Sequence, residues 1–373
     1  MKQGRTLQAL GEELQRQRLA RMDYVADTAS LTMKTQDHSR SILSLRVDGQ
    51  ERQYNIAETA HQQMASRLQI PYRYYVKMQR EFPVLLDENV NGWFQRQPER
   101  RMIRTLDGKV RAFLSDRYRR LDNFELCAAV LPVIQEMKGA DVASCEVTDS
   151  HMYLKVINKR LKAEVAVGDV VQAGFVVSNS EVGLGSLKVE PLVFRLVCKN
   201  GMICKDYSQK KYHVGRQVEA VDDAAYELYS DETLRQDDKA FFMKVQDIVR
   251  SAVDESKFLL TVDKMKEAMH IPLEYDPVKS VEVLADRFQL TQNERGDVLR
   301  QLFMGRDNSR YGLLNAVTAA SKLAPSYERA TELERIGGEI LTLPVPNTVK
   351  ELPAAIMRQV KNVTPHERNL QLV

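Results

Sequence analysis

Between Arg96 and Arg120 the chain carries nine cations, Arg96, Arg100, Arg101, Arg104, Lys109, Arg111, Arg117, Arg119 and Arg120, against only Glu99, Asp107 and Asp116. Phe113 and Tyr118 are interleaved with them. A guanidinium fork binds phosphate through two parallel hydrogen bonds, and an aromatic face stacks a base, so strands that display both form a platform for single-stranded nucleic acid. The same residue types also fit a solvated strand face whose arginines pair with carboxylates elsewhere in the chain. Ser115-Asp116-Arg117-Tyr118 reads as a bend, with Asp116 capping it through its own backbone and Arg117 and Tyr118 as the contact residues.

A second basic and aromatic cluster follows at Lys199, Lys205, Tyr207, Lys210, Lys211, Tyr212, His213 and Arg216, and a third at Lys155, Lys159, Arg160 and Lys162, read as a hairpin tip. Residues 1–215 hold 33 Lys and Arg against 25 Asp and Glu, whereas residues 216–373 hold 21 against 26. The basic half is therefore the candidate for an anionic partner. Its candidate contacts are Arg101, Arg104, Arg111, Arg117, Tyr118, Arg119, Arg120, Lys205, Tyr207, Lys210 and Lys211. The acidic half is the candidate for self-association into a homo-oligomer or for recruiting another protein; the basic clusters leave the competing reading, arginines paired with this acidic half, open.

Other chemistries have weaker support. The loop 179–185, Asn-Ser-Glu-Val-Gly-Leu-Gly, lacks the Lys-Ser/Thr ending of a phosphate-binding loop and a helix after it. Metal-dependent strand cleavage needs converging carboxylates, for which Asp107, Asp116, Glu181 and Glu190 are the candidates. The six histidines form no metal-ligand spacing, and Cys127, Cys145, Cys198 and Cys204 are too few and too scattered for a disulfide framework. These cysteines read as core residues. No catalytic residue, metal site or cofactor is assigned.

The elements that must position these residues read as α+β, a mostly antiparallel sheet with flanking helices followed by a helical C-terminal region. Residues 1–40 read as an N-terminal helical extension, 41–215 as the basic α+β domain, 216–340 as a helical region and 341–373 as a proline-punctuated tail. Asp48-Gly49 and Asp107-Gly108 supply the positive φ angles of tight hairpins. Pro71 and Pro83 break the helical pattern between residues 60 and 93, and Thr291 with Glu294 forms a capping box. Residues 174–178 and 189–197 are denser in Val, Phe and Leu than a half-exposed strand requires, so both read as buried strands. At 373 residues, with 43% hydrophobic and 28% charged positions, the composition is that of a globular protein. No apolar run approaches a membrane span and the polar start is not a secretory signal, so a cytoplasmic protein is expected.

Four segments resemble the phage- and plasmid-borne domain-of-unknown-function 932 family. They are LQIPYRYY at 68–75 with ENVN at 88–91, LSDRYRRLDN at 114–123, the block from VSNSEVG at 177–183 to CKNGM at 198–202, and YGLLNAVT at 311–318. The resemblance spans roughly residues 55–340 and implies mobile-element biology in a bacterium, without a reaction. The expected function is a nucleic-acid-binding protein, single-stranded DNA favoured, in replication, recombination or strand annealing. The alternatives are a metal-dependent nuclease and a protein-interaction or counter-defence protein without nucleic-acid activity.

Overall fold

The computed structural model describes residues 1–36, 40–47, 49–118, 120–204 and 231–343. They form two sheets. The first is made by β1 (Met22–Asp27), β2 (Leu31–Gln36), β3 (Arg40–Val47), β4 (Gln50–Ile56), β5 (Arg100–Leu106) and β6 (Lys109–Ser115), in the order β1-β5-β6-β4-β3-β2. All its pairings are antiparallel except β4 with β6. A parallel pairing needs a crossover. The crossover here contains α2 (Glu58–Arg67), α3 (Tyr72–Glu81) and α4 (Pro83–Arg96), which pack on one face of the sheet. Met64, Tyr75, Leu86, Val90 and Phe94 bury Leu31, Met33, Leu43, Leu45, Ile103 and Val110 there. The turn between β5 and β6 has Asp107 at φ 50° and Gly108 at φ 72°, the tight hairpin geometry expected of an Asp-Gly pair.

The second sheet is an antiparallel run of β7 (Ala140–Val147), β8 (Met152–Ala166), β9 (Asp169–Asn179), β10 (Lys188–Arg195) and β11 (Asn200–Ile203), in the order β11-β10-β9-β8-β7. Both faces are covered. Phe175 and Val177 point to α5 (Asn123–Glu136) and α6 (Asp231–Arg250), while the intervening Val176 clusters with Tyr327 of α11 (Tyr327–Leu341). Helices α7 (Glu255–Met269), α8 (Pro277–Phe288), α9 (Gln292–Gly305) and α10 (Arg310–Ala320) complete the C-terminal helical layer. The capping box is present at the start of α9, where the Glu294 amide donates to Thr291 Oγ1 at 3.3 Å and the Thr291 amide donates to the Glu294 carboxylate at 2.8 Å. No helix among the described residues is long and apolar enough to cross a membrane.

Two expectations are corrected. Only α1 (Leu7–Ala20) of residues 1–40 is a long helix, and residues 22–36 contain two strands of the first sheet. Leu10 and Leu14 of α1 pack with the second sheet's helices, so this terminus ties the two sheets together. Lys159, Arg160 and Lys162 do not form a hairpin tip. They lie within β8, where the pairing with β9 shifts register between Ile157 and Lys162, and the turn comes later at Gly168. A strand can carry extra residues as a bulge, which has the polar composition of a turn without reversing the chain.

Candidate functional site

The arginine run lies largely inward. Arg104 is fully buried on β5. It donates to Asp23 at 3.0 and 3.1 Å, to Asp122 at 2.6 Å and to the Glu181 carbonyl at 2.9 Å. Burial acts to lower its guanidinium pKa, but Asp122 and Asp23 outweigh burial and hold it above its ordinary value. Arg111 donates to Glu181 Oε2 at 2.5 Å, and the Asn123 amide donates to Glu181 Oε1 at 2.6 Å. Arg101 pairs with Glu99 at 2.8 Å and lies 5.7 Å from the centre of the Phe113 ring. Arg104 is therefore no surface contact, and Arg101 and Arg111 are committed to ion pairs.

Tyr118 is also turned in, its hydroxyl donating to the Ser180 carbonyl at 3.1 Å, and burial raises its pKa. Arg117 is exposed on the turn after β6. That turn is held by Ser115, whose hydroxyl accepts from the Arg117 amide at 3.3 Å, in place of the Asx turn expected from Asp116. The Arg120 side chain is 56% exposed and 3.6 Å from Asp23. Arg119, Lys205, Tyr207, Lys210 and Lys211 lie outside the described residues. In the third basic cluster Lys155 is fully buried against Glu334 at 2.6 Å, and Lys159 pairs with Asp141 at 2.7 Å.

The partners of Arg101, Arg104 and Arg111, namely Glu99, Asp23, Asp122 and Glu181, belong to the basic half itself. The acidic C-terminal half instead meets the second sheet, through Glu334 with Lys155 and through Arg335 with Glu190. The loop 179–185, which follows β9 on the way to β10, reaches across to the first sheet. Its carbonyls at Ser180, Glu181 and Val182 accept from Tyr118, Arg104 and Gln63. Val182 packs with Met102, Ala112 and Leu114. Gly183 has φ +75°, and a Cβ there would sit 2.6 Å from Leu114. This loop is a clasp, its carbonyls at Ser180, Glu181 and Val182 occupied by side chains from the first sheet and its flanking segments.

The four carboxylates proposed for a nuclease go to separate places. Asp107 accepts from Arg16 at 2.7 and 3.0 Å, Glu181 from Arg111, and Glu190 from Arg335 at 2.6 Å, while Asp116 is on an exposed turn. Among the described residues no three His, Cys, Asp or Glu side chains are grouped to hold a metal ion. Cys127 and Cys145 are buried, and burial pushes their thiols up to about 12 and about 11, which keeps them protonated and unreactive.

What remains open to a ligand is the other face of the first sheet. Strand residues paired across a sheet share a face. Lys34 pairs with Ile42, Ile42 with Asn55, and Asn55 with Lys109, giving one row across β2, β3, β4 and β6. Thr32, Ser44 and Gln53 form the next row, with Gln36 beside Arg40 and Arg46 beside Glu51 at the two ends. Ile42 and Ser44 are half-buried and the other residues of these rows are exposed. Lys34, Arg40, Arg46 and Lys109 form no ion pair with any described residue, and Glu51 is the only carboxylate among these paired positions. With strands about 4.8 Å apart, the row from Lys34 to Lys109 is about 14 Å long.

Sequence reasoning that places residues 1–40 in a helical extension does not find this face, since β2 lies within that span. The signal was present in Leu31-Thr-Met-Lys-Thr-Gln36, where apolar and polar residues alternate with the period of a half-buried strand.

Residues 112–332, rather more than half of the chain, match the family model described as Domain of unknown function (DUF932). Three of the four segments that carry the family resemblance fall in this span, while the open face lies almost entirely before it. No curated protein and no solved structure matches the chain.

Proposed function

Since the chain belongs to the DUF932 family, which brings no reaction with it, we propose a function from the surface it leaves open: binding of single-stranded nucleic acid, DNA favoured, across the polar face of the first sheet. The observation that carries this reading is a set of four exposed cations, Lys34, Arg40, Arg46 and Lys109, without ion-pair partners among the described residues, on one face where Glu51 is the one carboxylate among the described paired positions. Thr32, Ser44, Gln53 and Asn55 between them provide donors and acceptors for sugar and phosphate oxygens. None of these paired positions is aromatic, so the contacts follow the backbone and discriminate little between bases. Arg117 and Arg120 add exposed cations beyond β6. The family resemblance implies only a mobile-element setting, within which a single-strand binder would serve replication, recombination or strand annealing.

Fluorescence anisotropy with labelled single-stranded and duplex oligonucleotides, at low and high salt and with and without magnesium, tests the proposal. Salt-sensitive binding that leaves the strand intact is the expected result. Replacing Lys34 and Lys109 by Glu should abolish most of it and, if each contacts one phosphate, flatten the salt dependence by about 1.4 in log–log slope. Absence of binding at every salt concentration overturns the proposal. Magnesium-dependent strand loss would put a nuclease in its place.

A further inference from the structure

A second opening lies on the other sheet, far in sequence from the polar face and different in chemistry. Helix α6 ends at Arg250 and α7 begins at Glu255, and between them the helical layer over β9 and β10 leaves a cavity of about 410 Å³. Its floor includes Ala173, Val189 and Pro191. Ile248 and Phe258 line its walls, and Leu260, 63% exposed, stands at its opening. The size falls within the range of small-molecule sites, roughly 300–1,000 Å³. The polar groups on the α7 side follow helical spacing: Lys257, Thr261 and Lys264 at i, i+4 and i+7 face the cavity together. The Asp254 carboxylate, the acidic group of the lining, is committed to capping α7 through the Lys257 amide at 2.9 Å. Lys264 is exposed at the opening.

We propose that this cavity binds a free medium-chain carboxylate, with the alkyl chain between α6 and α7 on the Ala173-Pro191 floor and the carboxylate on the Lys264 ammonium. An apolar interior with two lysines, Lys257 and Lys264, on its α7 side complements an amphipathic anion at both ends. A neutral alcohol satisfies only the interior, and an amphipathic cation meets Lys264 with like charge.

Titration calorimetry of the full chain with decanoate, 1-decanol and decyltrimethylammonium tests this. Decanoate binds at one site per chain, more tightly than decanol, and decyltrimethylammonium does not compete. Lys264→Glu weakens decanoate roughly tenfold, the loss of one charge-assisted contact, and leaves decanol unchanged. Ala173→Trp fills the floor and removes binding of both ligands. Should that variant fail to fold, Ser251→Trp at the exposed rim blocks the same opening. No decanoate binding, equal binding of decanol and decanoate, or full binding by Ser251→Trp overturns the proposal. None of these outcomes depends on nucleic-acid binding.

Discussion

The two sheets of this protein treat their faces oppositely. In β2 the pattern is strict alternation, with Leu31, Met33 and Thr35 buried beneath helices and Thr32, Lys34 and Gln36 exposed. In β9 nearly every residue is buried, because α5 and α6 cover one side and α11 the other. A sheet with one covered face can present charge to a ligand, whereas a sheet covered on both must neutralise every charge that it contains. Lys155 illustrates the second case. It sits near the start of β8, paired with Glu334 at 2.6 Å and 4.5 Å from the centre of the Tyr327 ring. Burial lowers its pKa and Glu334 opposes that shift. Lys34 illustrates the first, exposed and without an ion pair among the described residues. A cation's value as a contact residue thus depends on which sheet carries it and which way it points.

Mutations of these charges should separate the two sheets. Glu334→Ala leaves Lys155 buried without a partner and should cost about 4 kcal/mol, read as a fall in denaturant midpoint. The pair Lys155→Met with Glu334→Leu should recover most of that loss, since an apolar pair needs no neutralisation. Recovery failing in the double variant would show that the ion pair itself sets the packing of α11. Arg104→Ala should cost about 3 kcal/mol, because Asp23 and Asp122 then face each other at the junction of the sheets. If stability instead stays near wild type while oligonucleotide binding falls, Arg104 is a contact residue and its buried ion pairs do not hold the junction together.

The next effect is in pH. Burial lowers His61, under the α3 helix, from its ordinary 6.5 to about 4. The unfolded chain takes up a proton at His61 below pH 6.5 and the folded chain resists until about pH 4. Stability is therefore intact above 6.5 and is lost as pH falls toward 4, by up to about 2–3 kcal/mol. His61→Gln should flatten that part of the profile, and an unchanged slope would assign it to other groups. Smallest of all should be Lys34→Ala and Arg46→Ala on the open face, each within about 0.5 kcal/mol of wild type in stability. The same substitutions should weaken single-strand binding, so the ranking for binding runs opposite to the ranking for stability.

Local features were legible in the residues themselves. Asp107-Gly108 adopts the positive φ values that its residue types favour, and Thr291 with Glu294 closes its capping box within four residues. Pro71 and Pro83 fall at the ends of helices, as a residue without an amide donor should. The dense apolar runs in residues 174–178 and 189–195 lie in the strands β9 and β10, whereas Leu196 and Val197, read as part of the second buried strand, are exposed in the turn after it. The candidate site was much less legible. The arginine run was visible as a run, but Arg104 meets the Glu181 carbonyl 77 positions away, and nothing local to either residue marks the pairing. The cations of the open face were unremarkable one by one, since Lys34 and Lys109 are brought into one row only by three strand pairings.

The Asp107-Gly108 turn, the α9 cap, the α+β class and the family follow from the chain's residues alone, because each is written in residues that act on their own neighbours or in segments read in order. Which cations are available is settled by the packed fold and by nothing shorter in range. Whether a charge faces water or a carboxylate depends on chain segments as distant as Lys155 and Glu334, 179 positions apart. Burial is a property of the layers that close over a face, and no single strand encodes which layer will cover it.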